Sequence, residues 1–417
     1  MRNMQLFGMP AEKGRWLLIP LGATILLCLG TVYSWSIFRK PLEKLLSINA
    51  TESLLPFTIL LIMFAVLMPI TGFYINRFGA RLITTVGGVI MGLGYILSGL
   101  NSNFQILTFT YGVIAGIGVG IVYGVPLTVV AKWFPDKKGI AVGLTVIGFG
   151  LSPLITAPLA KSLIDSYGVQ QTFVILGIAF TAIIVAIATV LKTPPQDWQP
   201  TAGNSHGSGQ SNISGTTSGQ ILQTPAFYGL WLCYTIGTFS GLAAIGISSP
   251  LAQEIIKLDA TTAASTVSLF AIFNALGRLF FGWFTDRFSP KLGAIVSFTL
   301  VLIASLMMLR AGQGSVATYL VAFSLFYFSF GGWLAIAPTT TLILFSTADY
   351  AKNYGIVFTA YGAGALGGTL LAGRIRDIFG SYTIFFYPTT ALAILGIVLA
   401  VFMLKRSFSA STVSQVN

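Results

Sequence analysis

Residues 266–288, TVSLFAIFNALGRLFFGWFTDRF, are long enough and apolar enough to cross a lipid bilayer. They are one of twelve such runs in the 417-residue chain, at about 16–38, 54–75, 81–100, 104–131, 138–160, 170–191, 226–249, 261–284, 291–310, 316–345, 352–374 and 382–404. No other feature restricts the fold so much. In hydrocarbon every backbone N–H and C=O must be satisfied by the chain itself, which leaves only helices and closed barrels. Each run is near 20 residues, and the alternation over about ten residues that marks barrel strands is missing, so the runs read as helices. Charged residues make up 8% of the chain, against about 25% in soluble domains. A soluble fold of this size could not cover its apolar surface with so few polar groups. The expected class is an all-α integral membrane protein with 12 transmembrane helices, the fourth and tenth long enough to tilt or project.

The formal net charge of +12 does not point to nucleic acid, because the cations are scattered through short loops. With both termini cytoplasmic, 14 of the 23 lysines and arginines fall in inner segments and 8 in outer ones, leaving Arg278 inside a run. The excess favours that orientation, in the cell inner (plasma) membrane. The first run exceeds a signal-peptide core and lacks a small-residue cleavage site, so it reads as a retained span. Cys28 and Cys233 lie in apolar runs without disulfide or zinc spacing, and the one histidine, His206, sits in a Gly/Ser-rich segment. No metal or other cofactor is expected.

Residues 193–224, TPPQDWQPTAGNSHGSGQSNISGTTSGQILQT, have the composition of a flexible linker. They divide the chain into 1–192 and 225–417, six runs each. The sequon Asn212-Ile-Ser214 carries no weight in a cytoplasmic loop. The halves echo one another. GFYINRFGAR (72–81) follows the second run and GWFTDRFSPK (282–291) the eighth, 210 residues apart; DSYG (165–168) and DIFG (377–380) follow the fifth and eleventh, 212 apart. Two copies of a six-helix unit in one orientation fit a parallel repeat about an axis along the membrane normal.

The loop motif resembles the signature of the major facilitator superfamily, with Asn76 and Ser289 as departures from it. The resemblance implies a fold of two pseudo-symmetric six-helix bundles and a conformational lock at Asn76, Arg77, Arg81, Asp286 and Arg287. The alternative, read from the residues alone, is cations anchoring helix ends at the interface. Within the superfamily, GTVYSWSIF (30–38), GVGIVYG (118–124), WFPDKKGIAVGL (133–144), LQTPAFYGLW (222–231), FNALGRLFFGWFTDRF (273–288) and NYGIVFTAYGAGALGG (353–368) are similar to the oxalate/formate antiporters and the related monocarboxylate transporters. The likeness runs over nearly the whole chain outside the linker and termini.

Arg278 is the residue that needs explaining. Every carboxylate in the chain lies in a loop or at a run end, and Asp286 is about 12 Å away along a helix. A mid-span arginine costs roughly 2.5–3.5 kcal/mol on insertion scales. It can snorkel to the interface, be satisfied by backbone carbonyls, or serve an anion in a water-filled cavity, where its planar fork suits a carboxylate. Asn274, one turn earlier, shares its face and has either an interhelical or a ligand role. The resemblance adds three points. Monocarboxylate transporters carry an Asp where this chain has Asn274, so that proton carrier is missing. They also carry a first-span Lys, and here no cation lies between Arg15 and Arg39. Oxalate/formate antiporters hold two carboxylates with an eighth-span Arg and an eleventh-span Lys; Arg278 matches the first and Tyr361 replaces the second. By family position Tyr33, Tyr123, Phe149, Phe330, Phe358 and Tyr361 line the cavity, and Tyr327 shares helical spacing with Phe330.

Two patterns are discounted or read structurally. Gly362, Gly364 and Gly367 spell a dinucleotide-binding motif but sit inside an apolar run. Gly112, Gly116, Gly120 and Gly124 recur every four residues, as on a smooth helix face for close contact, and as a surface along which the halves could rock. The expectation is a monomeric secondary transporter that moves a small organic monoanion of lactate or pyruvate type by alternating access, with H+ symport. Oxalate/formate-type exchange is the alternative, and a membrane anion receptor, which would need an output domain, is a remote one. No catalytic constellation is present, so an enzyme is not expected.

Overall fold

The structure, a computed structural model, describes residues 5–195, 221–345 and 350–404, without the side chains of 71–74, 76 and 351. Most of the expected linker, with His206 and Asn212, lies outside the described residues, as does the Asn76 side chain. Eleven helices among the described residues are long and apolar enough to cross a membrane. One of them, Lys138–Ala188, has 51 residues and is broken at Gly168, where φ is 80° and ψ is 165°. It is therefore two spans joined by a turn, and twelve spans result.

Local chemistry sets the helix ends. Asn49 accepts from the Glu52 N–H while Glu52 reaches back to the Asn49 N–H, a capping box that starts the second span, Ala50–Phe78. Thr224, Asp259 and Ser289 cap the starts of the seventh, eighth and ninth spans. The internal repeat is visible in the backbone. Gly168 and Gly380, which close the DSYG and DIFG echoes, both take positive φ, at 80° and 71°. The other echo diverges: Gly79 has φ 81°, whereas its counterpart Ser289 is extended and caps Leu292 before Pro290. A serine could not adopt the Gly79 geometry without strain, so the second copy turns by capping instead.

Packing repeats as well. In the first half the first span packs on the fifth, the second on the fourth and the third on the sixth; in the second half the seventh packs on the eleventh, the eighth on the tenth and the ninth on the twelfth. The halves meet where the second span lies along the eleventh and the fifth along the eighth. Gly112, Gly116 and Gly120 pack against Pro56, Ile59, Leu60, Met63 and Leu67 of the second span. These contacts are internal to the first half, so the glycine face is not the surface between the halves. Gly364 and Gly368 likewise let the eleventh span touch Thr238 and Phe239 of the seventh. Large apolar side chains such as Phe109, Ile183, Leu306 and Phe402 point outward, as a surface facing lipid requires.

A short antiparallel hairpin, β1 (Gln5–Leu6) with β2 (Met9–Pro10), precedes the first span. Behind it Arg15 donates to the Trp133 carbonyl at 3.0 Å and to both Asp136 oxygens at 2.5 and 2.9 Å, tying the first span to the loop between the fourth and fifth. The Arg15 hydrogen bonds hold the Asp136 carboxyl below its ordinary range. A depressed folded-state value contributes stability above the unfolded carboxylate's titration, near pH 4, and that contribution is lost as pH falls through the folded-state value. Asp136→Asn should therefore lower the thermal unfolding temperature at pH 7, and the gap to the wild type should begin to narrow below about pH 4 and close only below the folded-state value. Gly168→Ala has open space but a left-handed backbone; it should cost about 1 kcal/mol in chemical unfolding, with helix content by circular dichroism unchanged.

Candidate functional site

Arg278 and Asn274 occupy adjacent turns of the eighth span, Ala260–Arg287, and both are buried, 7% and 1% exposed. The Arg278 Nε donates to Asn274 Oδ1 at 3.2 Å. Its Nη1 crosses to the other half and donates to the Val146 carbonyl of the fifth span at 3.3 Å. Gly150 makes this approach possible. A Cβ there would stand 2.7 Å from Asn274 Oδ1 and 3.2 Å from Arg278 Nε. Two donors remain: Arg278 Nη2 and Asn274 Nδ2 are buried without a hydrogen-bond partner. Among the described residues no ion pair involves Arg278, and Asp286 is exposed at the end of the same helix. Snorkelling is thus excluded by burial, and satisfaction by backbone carbonyls is only partly realised. The remaining donors are what a carboxylate would take.

Around this pair both halves contribute aromatic rings. The first span tightens to a 3-10 turn over Thr31–Ser34, which carries Tyr33. Tyr33 packs edge-on to Phe149 at 5.0 Å and to Phe330 at 5.6 Å. Its hydroxyl is 3.0 Å from that of Tyr361, a hydrogen bond between the halves. Tyr123 packs on Phe149 at 5.1 Å, and Phe358 stacks on Tyr361 at 5.0 Å. The phenol groups of Tyr33 and Tyr123 lie beside the Arg278 guanidinium. The structure thus gathers Arg278, Asn274, Tyr33, Tyr123, Phe149, Phe330, Phe358 and Tyr361 into one cluster. Phe64 stands at its centre, 4.9 to 5.9 Å from Tyr123, Phe149, Phe358 and Tyr361. Neither Phe64 nor Gly150 was expected here from sequence. The repeat offset could have found the first, since 210 residues before Asn274 is Phe64.

Tyr327 is placed elsewhere. Its hydroxyl donates to Ser248 Oγ at 3.3 Å, and Ser248 Oγ donates to Ser36 Oγ of the first half at 3.0 Å. This bridge leads to a larger one on the face that carries Glu254. Arg39 is wholly buried and donates to Ser53 Oγ, the Gly246 carbonyl, Glu43 Oε1, the Ala50 carbonyl and the Tyr382 hydroxyl, at 2.9 to 3.1 Å. Glu254 lies between Lys40 of the first half and Arg376 of the second. Asp377 accepts the N–H groups of Ala50 and Thr51 at 2.9 Å each, capping the second span from the opposite half. The halves are therefore locked together at the Glu254 face. The expected lock was at the opposite face. There Arg77 lies over the ring of Phe78, Arg81 bonds the Thr189 carbonyl of its own half, and Asp286 and Arg287 are exposed. Among the described residues no hydrogen bond or ion pair joins Arg77, Arg81, Asp286 or Arg287 to the other half. The clue to the Glu254 face was the alternation of Arg39, Lys40 and Glu43 at a span end.

Comparison with known proteins agrees with this architecture. The family model described as Major Facilitator Superfamily matches residues 21–353 and 230–416. The chain is 30% identical to the "Oxalate:formate antiporter" of Oxalobacter formigenes over 94% of this chain and 92% of that one. It is 25% identical to "Monocarboxylate transporter 12" of Xenopus laevis over 76% and 72% respectively. Among solved structures it superimposes on a mutant of the nucleoside transporter NupG with a TM-score of 0.73 at 12% identity, covering 94% of this chain and 100% of that one.

The Glu254 lock can be tested by accessibility. In a background with Cys28 and Cys233 replaced by Ser, a cysteine at Ser248 should react slowly with a membrane-impermeant maleimide. Adding Glu254→Gln should raise the labelling rate by about tenfold or more; an unchanged rate would show that the ion pairs do not hold the face shut.

Proposed function

With the chain belonging to the major facilitator superfamily, we propose that this transporter carries a small monocarboxylate of lactate or pyruvate type through a central site built on Arg278. The observation that carries this reading is the buried guanidinium with a free Nη2, set beside the free Asn274 Nδ2. Two unpartnered donors, one of them on a fixed charge, suit one carboxylate, since each can take an oxygen and the arginine fork can close on it bidentately once Nη1 leaves Val146. A second carboxylate would enter a box of aromatic rings and find Tyr361 where the resemblance puts a lysine. An unpaired charge buried there is costly. Tyr33 and Tyr361 can hydrogen-bond a hydroxyl or keto oxygen of the cargo, one from each half.

The halves, residues 1–192 and 225–417 with the 193–224 segment between them, rock about this site. The Lys/Arg asymmetry supports an outer Glu254 face and cytoplasmic termini, with the protein in the cell inner (plasma) membrane. The carrier works as a monomer, and the transport is symport with H+. With no carboxylate beside Arg278, the proton travels on the cargo or on a gate carboxylate such as Glu254. Exchange of oxalate-type anions is the second reading, favoured by the name of the relative at 30% identity.

Uptake into proteoliposomes of labelled lactate, formate and oxalate, with and without a pH gradient or internal anion, separates these readings. Lactate uptake driven by an inward proton gradient is the expected result; uptake of oxalate alone, and only against internal anion, would replace the reading with exchange. Arg278→Ala should lower transport on the order of 100-fold, as for removal of one partner of a buried charge pair. Tyr361→Lys should shift preference from lactate toward oxalate, measured by competition between the two labelled anions.

A further inference from the structure

The bond from Arg278 to Val146 spans the two halves and uses a neutral acceptor. A helical carbonyl has two lone pairs, and its own ladder bond occupies one of them. In a helix the side chain four residues on lies over the turn that holds this carbonyl. At Val146 that residue is Gly150, which has no side chain to offer cover. The carbonyl is therefore bare toward the eighth span, at the level where the guanidinium lies. A Cβ at position 150 would collide with Asn274 and crowd Arg278. The same seam holds a second bond of this kind, Ser268 Oγ to the Pro153 carbonyl at 3.2 Å. Both donors are on the eighth span and both acceptors are on the fifth. The Glu254 face, by contrast, is held by ions.

We propose that the Val146 carbonyl, uncovered by Gly150, is an internal acceptor that takes over Arg278 when a carboxylate departs, so that the carrier reorients without cargo and performs net transport. The inference rests on the reading of Arg278 as the carboxylate site and concerns the coupling of that site. A guanidinium with no acceptor in a dry interface would resist closure of the halves, and only a bound anion would permit it; that is obligate exchange. A carbonyl within reach of Nη1 removes the obligation. Because it is uncharged, it holds the arginine less tightly than a carboxylate does, and arriving cargo that docks on the free Nη2 completes a bidentate pair by drawing Nη1 away from it. Gly150 is thus a positioning residue: it touches the guanidinium's surroundings and decides which acceptor is in range.

The experiment uses the full-length protein in liposomes loaded with labelled lactate. Two rates are compared: efflux into anion-free buffer, and exchange against external unlabelled lactate. The wild type should show efflux into anion-free buffer. In Gly150→Ala the ratio of that efflux to exchange should fall by roughly tenfold or more, the worth of a hydrogen bond to a charged group, because the added methyl crowds both rates alike but moves only the internal acceptor out of range. A thermal melt matching the wild type shows that the variant is folded. Wild-type protein that exchanges but shows no net efflux would overturn the proposal, as would a Gly150→Ala variant in which both rates fall together or neither changes. Arg278→Ala separates the layers: if its exchange survives, the reading of the site is wrong; if exchange is lost and the wild type has no net efflux, the site stands and the internal acceptor does not.

Discussion

An arginine keeps its charge wherever the fold puts it, and in a bilayer-spanning chain that charge must find acceptors or water. Two arginines are buried between the halves, and they meet the requirement differently. Arg39 has five acceptors, including a carboxylate. Arg278 has one amide oxygen and one carbonyl, and leaves Nη2 free. The side chain is the same and so is the seclusion from solvent; the number of acceptors differs. A complete set makes Arg39 a structural rivet. An incomplete set leaves Arg278 with a donor to spare, which is the ground for proposing it as the place for an anion.

The same constraint orders the rest of the molecule. Carboxylates are kept to the span ends, where they cap helices or meet cations: Asp377 at the second span, Asp259 at the eighth, Glu254 between Lys40 and Arg376. Midway through the bilayer the halves meet through hydroxyl pairs, Tyr33 with Tyr361 and Thr58 with Thr369, and through aromatic edges. Neutral contacts of this type are individually weak, which suits the proposed rocking of the halves. Among the described residues the ionic contact between the halves sits on one face, so the structure is closed there.

Much of this was legible in the sequence. Twelve spans, the parallel repeat and the burial of Arg278 follow from hydropathy, motif spacing and the lack of a mid-span acid. Eight of the nine residues expected at the site lie in one cluster. Tyr327 does not, because its hydroxyl is drawn to Ser248, and helical spacing along the tenth span carries no information about depth. Phe64 does not stand out as one apolar residue in an apolar run, and only the 210-residue repeat offset from Asn274 points to it. Gly150 and Val146 were invisible for a different reason: a missing side chain and a backbone atom leave no trace in a pattern of residue types. The lock was expected at the signature loops and is found at the opposite face.

The central claim is that Arg278 binds a carboxylate directly. Equilibrium binding to the purified protein in detergent, read by isothermal titration with lactate, addresses this without any dependence on gating or coupling. Saturable binding that disappears in Arg278→Gln, while the variant remains folded by its thermal melt, is the predicted result. Binding of equal strength in that variant would contradict it.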